Sequence, residues 1–171
     1  MKKKRILQIA ALVLAALAAA TFADFDNDAK GIDTIRVSNY DYWTGFYEYK
    51  IDLKNKQLWE YTARTAVGPY IPRDESAENE GYTFVRDLED GNIRAFLNSA
   101  ARYGFAGWDT SYNNLNTYDG YQWGITITFS DGSEKEMSGS NAYPDAWDKM
   151  RGAFENLTGE NILRFESATY P

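Results

Sequence analysis

The sequence predicts an α+β fold, an antiparallel sheet built from two β-β-α-like units with two helices packed on one face. Three observations carry that expectation. Tyr47, Tyr49, Ile51 and Leu53 alternate with Glu48, Lys50 and Asp52, and Trp123, Ile125, Ile127 and Phe129 alternate with Gln122, Gly124, Thr126 and Thr128. A period of two marks a half-buried strand. Each of these strands is followed by a polar turn and a second strand, and each hairpin is followed, directly or after an insertion, by apolar residues at helical spacing. Parallel β-α-β winding fits less well, because the strands come in hairpin pairs.

The chain begins with Lys2-Lys3-Lys4-Arg5 and an apolar run from Ile6 to Ala20. A basic head, a short apolar stretch and small residues at Ala18-Ala19-Ala20 or Thr21-Phe22-Ala23 read as an export signal. This divides the chain into a signal peptide over 1–23, cut after Ala20 or Ala23, a flexible leader over 24–31 and a single α+β domain over 32–171. The alternative is an uncleaved N-terminal anchor, for which the run is short of the ~20 residues that span a bilayer. The expected address is outside the cell or in its envelope, with membrane attachment only if the N-terminal segment is retained.

Within the domain, Ile35 and Val37 mark a short strand over Ile32–Ser38, and Tyr40–Gly45 reads as an aromatic turn. Phe46–Leu53 and Gln57–Ala63 form a hairpin about Lys54-Asn55-Lys56. Gly68-Pro69, Pro72 and a polar run make Val67–Gly81 a long loop. Tyr82–Arg86 is a further strand. Asp90 reads as the N-cap of a helix over Gly91–Tyr103, with Ile93, Phe96, Leu97, Ala100 and Ala101 on one stripe and Gly104 closing it. Phe105–Tyr121 is mostly loop. Gln122–Phe129 and Ser133–Ser138 pair through Asp131-Gly132, whose residues tolerate positive φ. Asn141 or Tyr143 leads into Pro144, and a helix over Pro144–Thr158 carries Trp147, Met150, Arg151, Phe154 and Leu157. Gly159 stops it. Ile162, Leu163 and Phe165 form a last short strand or a packed tail.

The segment from Trp123-Gly-Ile-Thr-Ile-Thr-Phe through Ser130-Asp131-Gly132 to Gly139-Ser-Asn-Ala-Tyr143-Pro144 and Trp147 resembles a pattern of uncharacterised exported bacterial domains. These have a tryptophan-led strand, a DG turn, a Gly-x-Asn-x-Tyr-Pro step and a closing helix. The resemblance covers Gln122–Gly159. It implies the fold and bacterial export, and carries no activity or catalytic residues.

Composition excludes several chemistries. The chain has no Cys and no His. Thiol nucleophiles, thiolate or imidazole metal ligands, disulfides and the Ser-His-Asp arrangement are therefore absent. Stability must come from packing, which the 44% of hydrophobic residues can supply. Removing the four basic residues of the signal from a total of 18 leaves 14 against 25 acidic ones, a formal charge of about −11. Nucleic acid is a poor partner for such a chain, whose few Lys and Arg cannot neutralise phosphates. No cofactor, metal ligand set or catalytic residue stands out. Asp24-Phe-Asp26-Asn-Asp28 resembles the opening of a calcium loop, but Ala29 and Ile35 occupy the positions that need Gly and an acid.

The candidate ligand-binding residues are Tyr42, Trp43, Trp108, Tyr112, Asn113 and Tyr118. Flat amphipathic rings beside amide side chains suit sugar faces, peptides or partner proteins. The leading expectation is a non-catalytic binding or interaction module for a cell-envelope polymer or protein. A carboxylate-based hydrolase of cell-envelope glycans is the alternative, with Asp41, Asp87, Glu89, Asp90, Asp109 and Asp119 near the aromatic loops. A purely structural accessory domain is the third reading, in which those rings fill the core. Gly139–Pro144 offers backbone N–H groups near a helix start, for which capping by Asn141 is the simpler account than anion binding.

Overall fold

The computed structural model describes residues 31–41, 45–63, 81–114 and 121–164. Among these the strands are β1 (Ile32–Asp41), β2 (Gly45–Asp52), β3 (Gln57–Ala63), β4 (Thr83–Asp87), β5 (Ser111–Asn113), β6 (Gln122–Phe129) and β7 (Glu134–Ser140). Helix α1 spans Asp90–Arg102, helix α2 spans Trp147–Thr158, and a 3-10 turn spans Phe105–Gly107. The fold is mixed α+β, as the alternation predicts.

All seven strands form one sheet in the order β4-β3-β2-β1-β6-β7-β5. Every pairing is antiparallel except that of β5 with β7. Strand β1 lies at the centre, between hairpin β2-β3 and hairpin β6-β7. It runs three residues past the expected Ser38, so Tyr40 is a strand residue and not part of a turn. Strands β4 and β5 extend the two edges beyond the paired β-β-α scheme.

One face of the sheet is the core. Ile35 and Val37 of β1 sit opposite Ile51 and Tyr49 of β2 and opposite Ile127 and Ile125 of β6. Met137 continues the row from Ile125. All are buried, together with Met150, Phe154 and Leu157 of α2 and Phe96 and Ala100 of α1. The helices meet each other through Phe96 and Phe154, whose ring centroids are 4.8 Å apart. Helix α2 meets the sheet where Trp147 lies 4.7 Å from Trp123. Burial of large apolar side chains, each worth about 1.5–3 kcal/mol, holds these layers together.

The local signals act largely as expected. Gly104 has φ 60° and Gly159 has φ 73°, each at a helix end. The β6-β7 hairpin closes with Phe129 N–H donating to the Ser133 carbonyl, Gly132 at φ 82°, and the Asp131 carboxylate accepting from Ser133 N–H at 2.9 Å. Three expectations are corrected. Asp90 is the first helical residue and Glu89 the cap; the Asp90 carboxylate instead pairs with Lys56 at 2.8 Å. Helix α2 starts at Trp147 rather than Pro144. Asn141, at φ 50°, does not cap it: its side-chain oxygen accepts from Tyr121 N–H at 3.0 Å and its own N–H donates to the Tyr121 carbonyl. Of the two forms expected for the end of the domain, Ile162 and Leu163 take the packed tail, pinned by Asn39 Nδ2 donating to the Ile162 carbonyl at 2.9 Å.

The export segment, the leader up to residue 30, the calcium-like stretch, residues 64–80 of the long loop and Phe165 lie outside the described residues. No helix among the described residues is long and apolar enough to cross a membrane.

Candidate functional site

Neither helix lies on the second face of the sheet, which carries the polar members of the same alternating strands. Register lines these side chains into rows that cross the strands. One row runs Tyr61, Glu48, Ser38, Gly124, Ser138 and Ser111, from β3 to β5. The next runs Phe84, Trp59, Lys50, Arg36, Thr126 and Glu136, from β4 to β7. On the opposite flank run Phe46, Tyr40, Gln122, Ser140 and Asn113.

The middle of the first row is made of the smallest side chains. Ser38, Gly124 and Ser138 form a floor beside the larger Arg36, Thr126 and Glu136, so a trough crosses these strands. With strands ~4.8 Å apart, the floor from Ser38 to Ser111 is about 14 Å long. Its cavity volume is ≈ 600 Å³, and Arg36, Ser38, Glu48, Thr110, Thr126, Glu136 and Ser138 line it around Gly124. Gly124 sets the depth. A Cβ there would lie 2.6 Å from Ser38 Oγ, which itself donates to the Gly124 carbonyl at 3.4 Å.

The lining offers both donors and acceptors. Arg36 lies 3.9 Å from Glu134 at the rim, an ion pair exposed enough to be weak. Glu48 accepts a hydrogen bond from the Tyr82 hydroxyl, which closes one end of the trough. Rings cluster at that end. Tyr61 packs edge-on against Phe46 at 6.1 Å and Tyr82 at 6.0 Å, and Trp59 packs edge-on against Phe84 at 5.3 Å. Phe84 is 45% exposed, the one exposed large apolar side chain among the described residues.

Of the residues singled out from sequence, the three that are described do not share one surface. Trp108 is an interior residue, 7% exposed. Its indole N–H donates to the Tyr103 carbonyl at 3.3 Å, and its ring lies 5.0 Å from Phe105 and 6.1 Å from Trp147. It therefore offers no ring to a ligand; the 3-10 turn folds it back under α1. Tyr112 is half-buried on the core side, 5.7 Å from Trp123, and its hydroxyl accepts from Asp109 N–H. Asn113 is exposed and on the trough face, where its Nδ2 donates to Ser111 Oγ at 2.7 Å. Tyr42, Trp43 and Tyr118 lie outside the described residues.

Of the six acids near aromatic loops, Asp87, Glu89, Asp90 and Asp109 do not line the trough. Asp119 and the side chain of Asp41 are outside the description. Among the described residues no group of three or more acidic side chains is placed to hold a metal ion. Sequence reasoning missed Arg36, Ser38, Glu48, Gly124, Thr126, Glu136 and Ser138. Their signal was present as the polar half of each alternation, with a glycine in the middle of the strongest strand, where it marks a close approach.

No family model, no curated protein and no solved structure matches the chain.

Proposed function

We propose that this chain is an exported, non-catalytic binding module that holds a cell-envelope polymer or protein on the outer face of its sheet. The observation that carries the reading is the trough itself. It is a depression lined mainly by polar side chains around a glycine, with convergent hydroxyl, carboxylate and guanidinium groups of the kind that fix a ligand's orientation, and a cluster of rings lies beyond its Glu48 end. The basic head and apolar run at the N-terminus support delivery to the envelope, as does the resemblance of Gln122–Gly159 to exported bacterial domains. The two β-β-α-like units serve as the frame, with their hairpins flanking β1 and so supplying the floor from both sides.

A carboxylate-based hydrolase is the second reading, because Glu48 and Glu136 both line the trough. Their strands are three inter-strand steps apart, about 14 Å between backbones at ~4.8 Å per step. Glycosidase pairs work with carboxyl groups roughly 5–9.5 Å apart. The span favours binding over cleavage.

Co-sedimentation of the full chain with insoluble envelope fragments tests the reading. The expected result is retention of the chain with the polymer left intact. Release of soluble saccharides or peptides would transfer the assignment to the hydrolase, and a chain left wholly in the supernatant would remove the binding role.

A further inference from the structure

We infer that the occupant of the trough is a neutral, unbranched glycan whose long axis crosses the strands. This rests on the binding reading above and names its ligand class. The direction comes from the floor. Ser38, Gly124 and Ser138 are neighbours across β1, β6 and β7, not along any one strand, so the open path runs perpendicular to the strands. A ring-sized repeat fits that path, with on the order of three repeats over three steps of ~4.8 Å. An extended peptide gains most of its affinity by pairing its backbone along a free sheet edge. Here the floor strands β1 and β6 are paired on both sides, so their backbones have no such pairing to give.

The lining chemistry matches hydroxyl groups, which donate and accept at once. Ser38, Thr110, Thr126 and Ser138 supply hydroxyls, Arg36 supplies donors, and Glu48 and Glu136 supply acceptors. The charge excludes a polyanion. Glu48, Glu134 and Glu136 outnumber Arg36, which already faces Glu134, and its register neighbour Lys50, which is buried at 8% exposure, and the whole chain is −7. A row of sulfates, phosphates or uronates would meet repulsion both locally and at long range. The ring cluster completes the match. Phe84 and its neighbour Trp59, on β4 and β3, present an apolar surface two to three strands beyond β1, where a chain that continues past Glu48 meets them, and such a surface suits the C–H face of a sugar.

The test uses the full chain, purified as an exporting bacterial host delivers it, on an array of neutral glycans, polyanionic glycans and peptides. Ser138→Tyr is compared in parallel, because Ser138 is exposed and a tyrosine there fills the floor without entering the core. Thr126→Tyr is the second filling variant should the first not fold, and thermal melting reports folding for both. The expected result is binding to neutral linear glycans, weakened at least tenfold in the filled variant. Binding confined to peptides or polyanionic glycans, and lost on filling, would overturn the glycan assignment while leaving the trough as the binding surface. Binding that ignores the filling, or no binding at all, would overturn both.

Discussion

Ser38 and Gly124 face each other across β1 and β6, and the absence of a side chain on Gly124 is what lets Ser38 Oγ stand 3.4 Å from the Gly124 carbonyl. A methyl group at 124 would meet that hydroxyl at 2.6 Å. The pair is the deepest point of the trough, so one contact links a local steric requirement to the shape of the proposed site.

Gly124→Ala is expected to be less favourable while Ser38 is present than when it is removed. Forcing the hydroxyl off its rotamer costs about 0.5–1.5 kcal/mol, against a gain of roughly 0.5–1 kcal/mol from replacing glycine in a strand. In a Ser38→Ala background the clash is gone and the gain remains. A double-mutant cycle by denaturant unfolding should show coupling of at least ~0.5 kcal/mol between the two positions. Additive effects would mean that the hydroxyl does not limit position 124.

Gly139→Ala should be worse. Its Cβ would lie 2.3 Å from Trp123 Nε1 and 2.6 Å from the Ala142 carbonyl, to which that indole donates at 2.9 Å. Trp123 is buried and the carbonyl is backbone, so neither can swing aside as a serine hydroxyl can. A cost toward the upper end of the ~1–3 kcal/mol of overpacking is expected, measured by urea unfolding. A loss no larger than that of Gly124→Ala would refute this ordering.

Phe154→Ala should remove about 3–5 kcal/mol. The Phe154 ring is fully buried and lies 4.8 Å from Phe96 and 5.6 Å from Phe105, so it joins both helices and the 3-10 turn. Calorimetry should show one lowered transition. A change under ~1 kcal/mol would indicate that the two helices do not share an interior.

Stability should be lost at both ends of the pH scale. Asp33 is held below its usual carboxylate range, chiefly by Ser130 and then by Lys54; Asp90 is held down by Lys56, and Asp131 by Ser133. A depressed folded value contributes stability above the unfolded value of ~3.9 that disappears as pH falls through the folded one. Tyr49 moves the other way: burial raises its hydroxyl, with Arg164 opposing. That contribution is complete below the unfolded value of ~10 and is lost as pH rises through the higher folded value. Thermal melting across pH should therefore give a plateau with falls below about pH 4 and above about pH 10. Asp33→Asn should reduce the acid-side fall, and an unchanged slope would contradict the Ser130 and Lys54 contacts.

The core was legible because alternation has one physical meaning. Burying Ile125 and Ile127 on one side of β6 requires the other side to carry Gly124 and Thr126, so the pattern located both faces. It could not say which face binds. Trp108 was misplaced because an aromatic in a loop reads as exposed unless the loop itself folds back; the spacing of Phe105 and Trp108, three residues apart, was the available sign of the turn that buries it. Strand β5 was illegible because three residues paired in parallel with β7 leave no periodicity. The trough depends on Ser38, Gly124 and Ser138 coming into register across three strands, and register between distant segments is a property of the folded sheet.

The most direct test of the binding surface is backbone amide chemical-shift mapping on the folded chain as the best array ligand is added. The account predicts that shifts concentrate at Ser38, Gly124, Thr126 and Ser138 and reach Thr110 and Ser111 beside them, with the amide of the buried Trp108 unmoved. Shifts centred on Trp108, Tyr112 and Asn114, with the four trough amides unchanged, would contradict it.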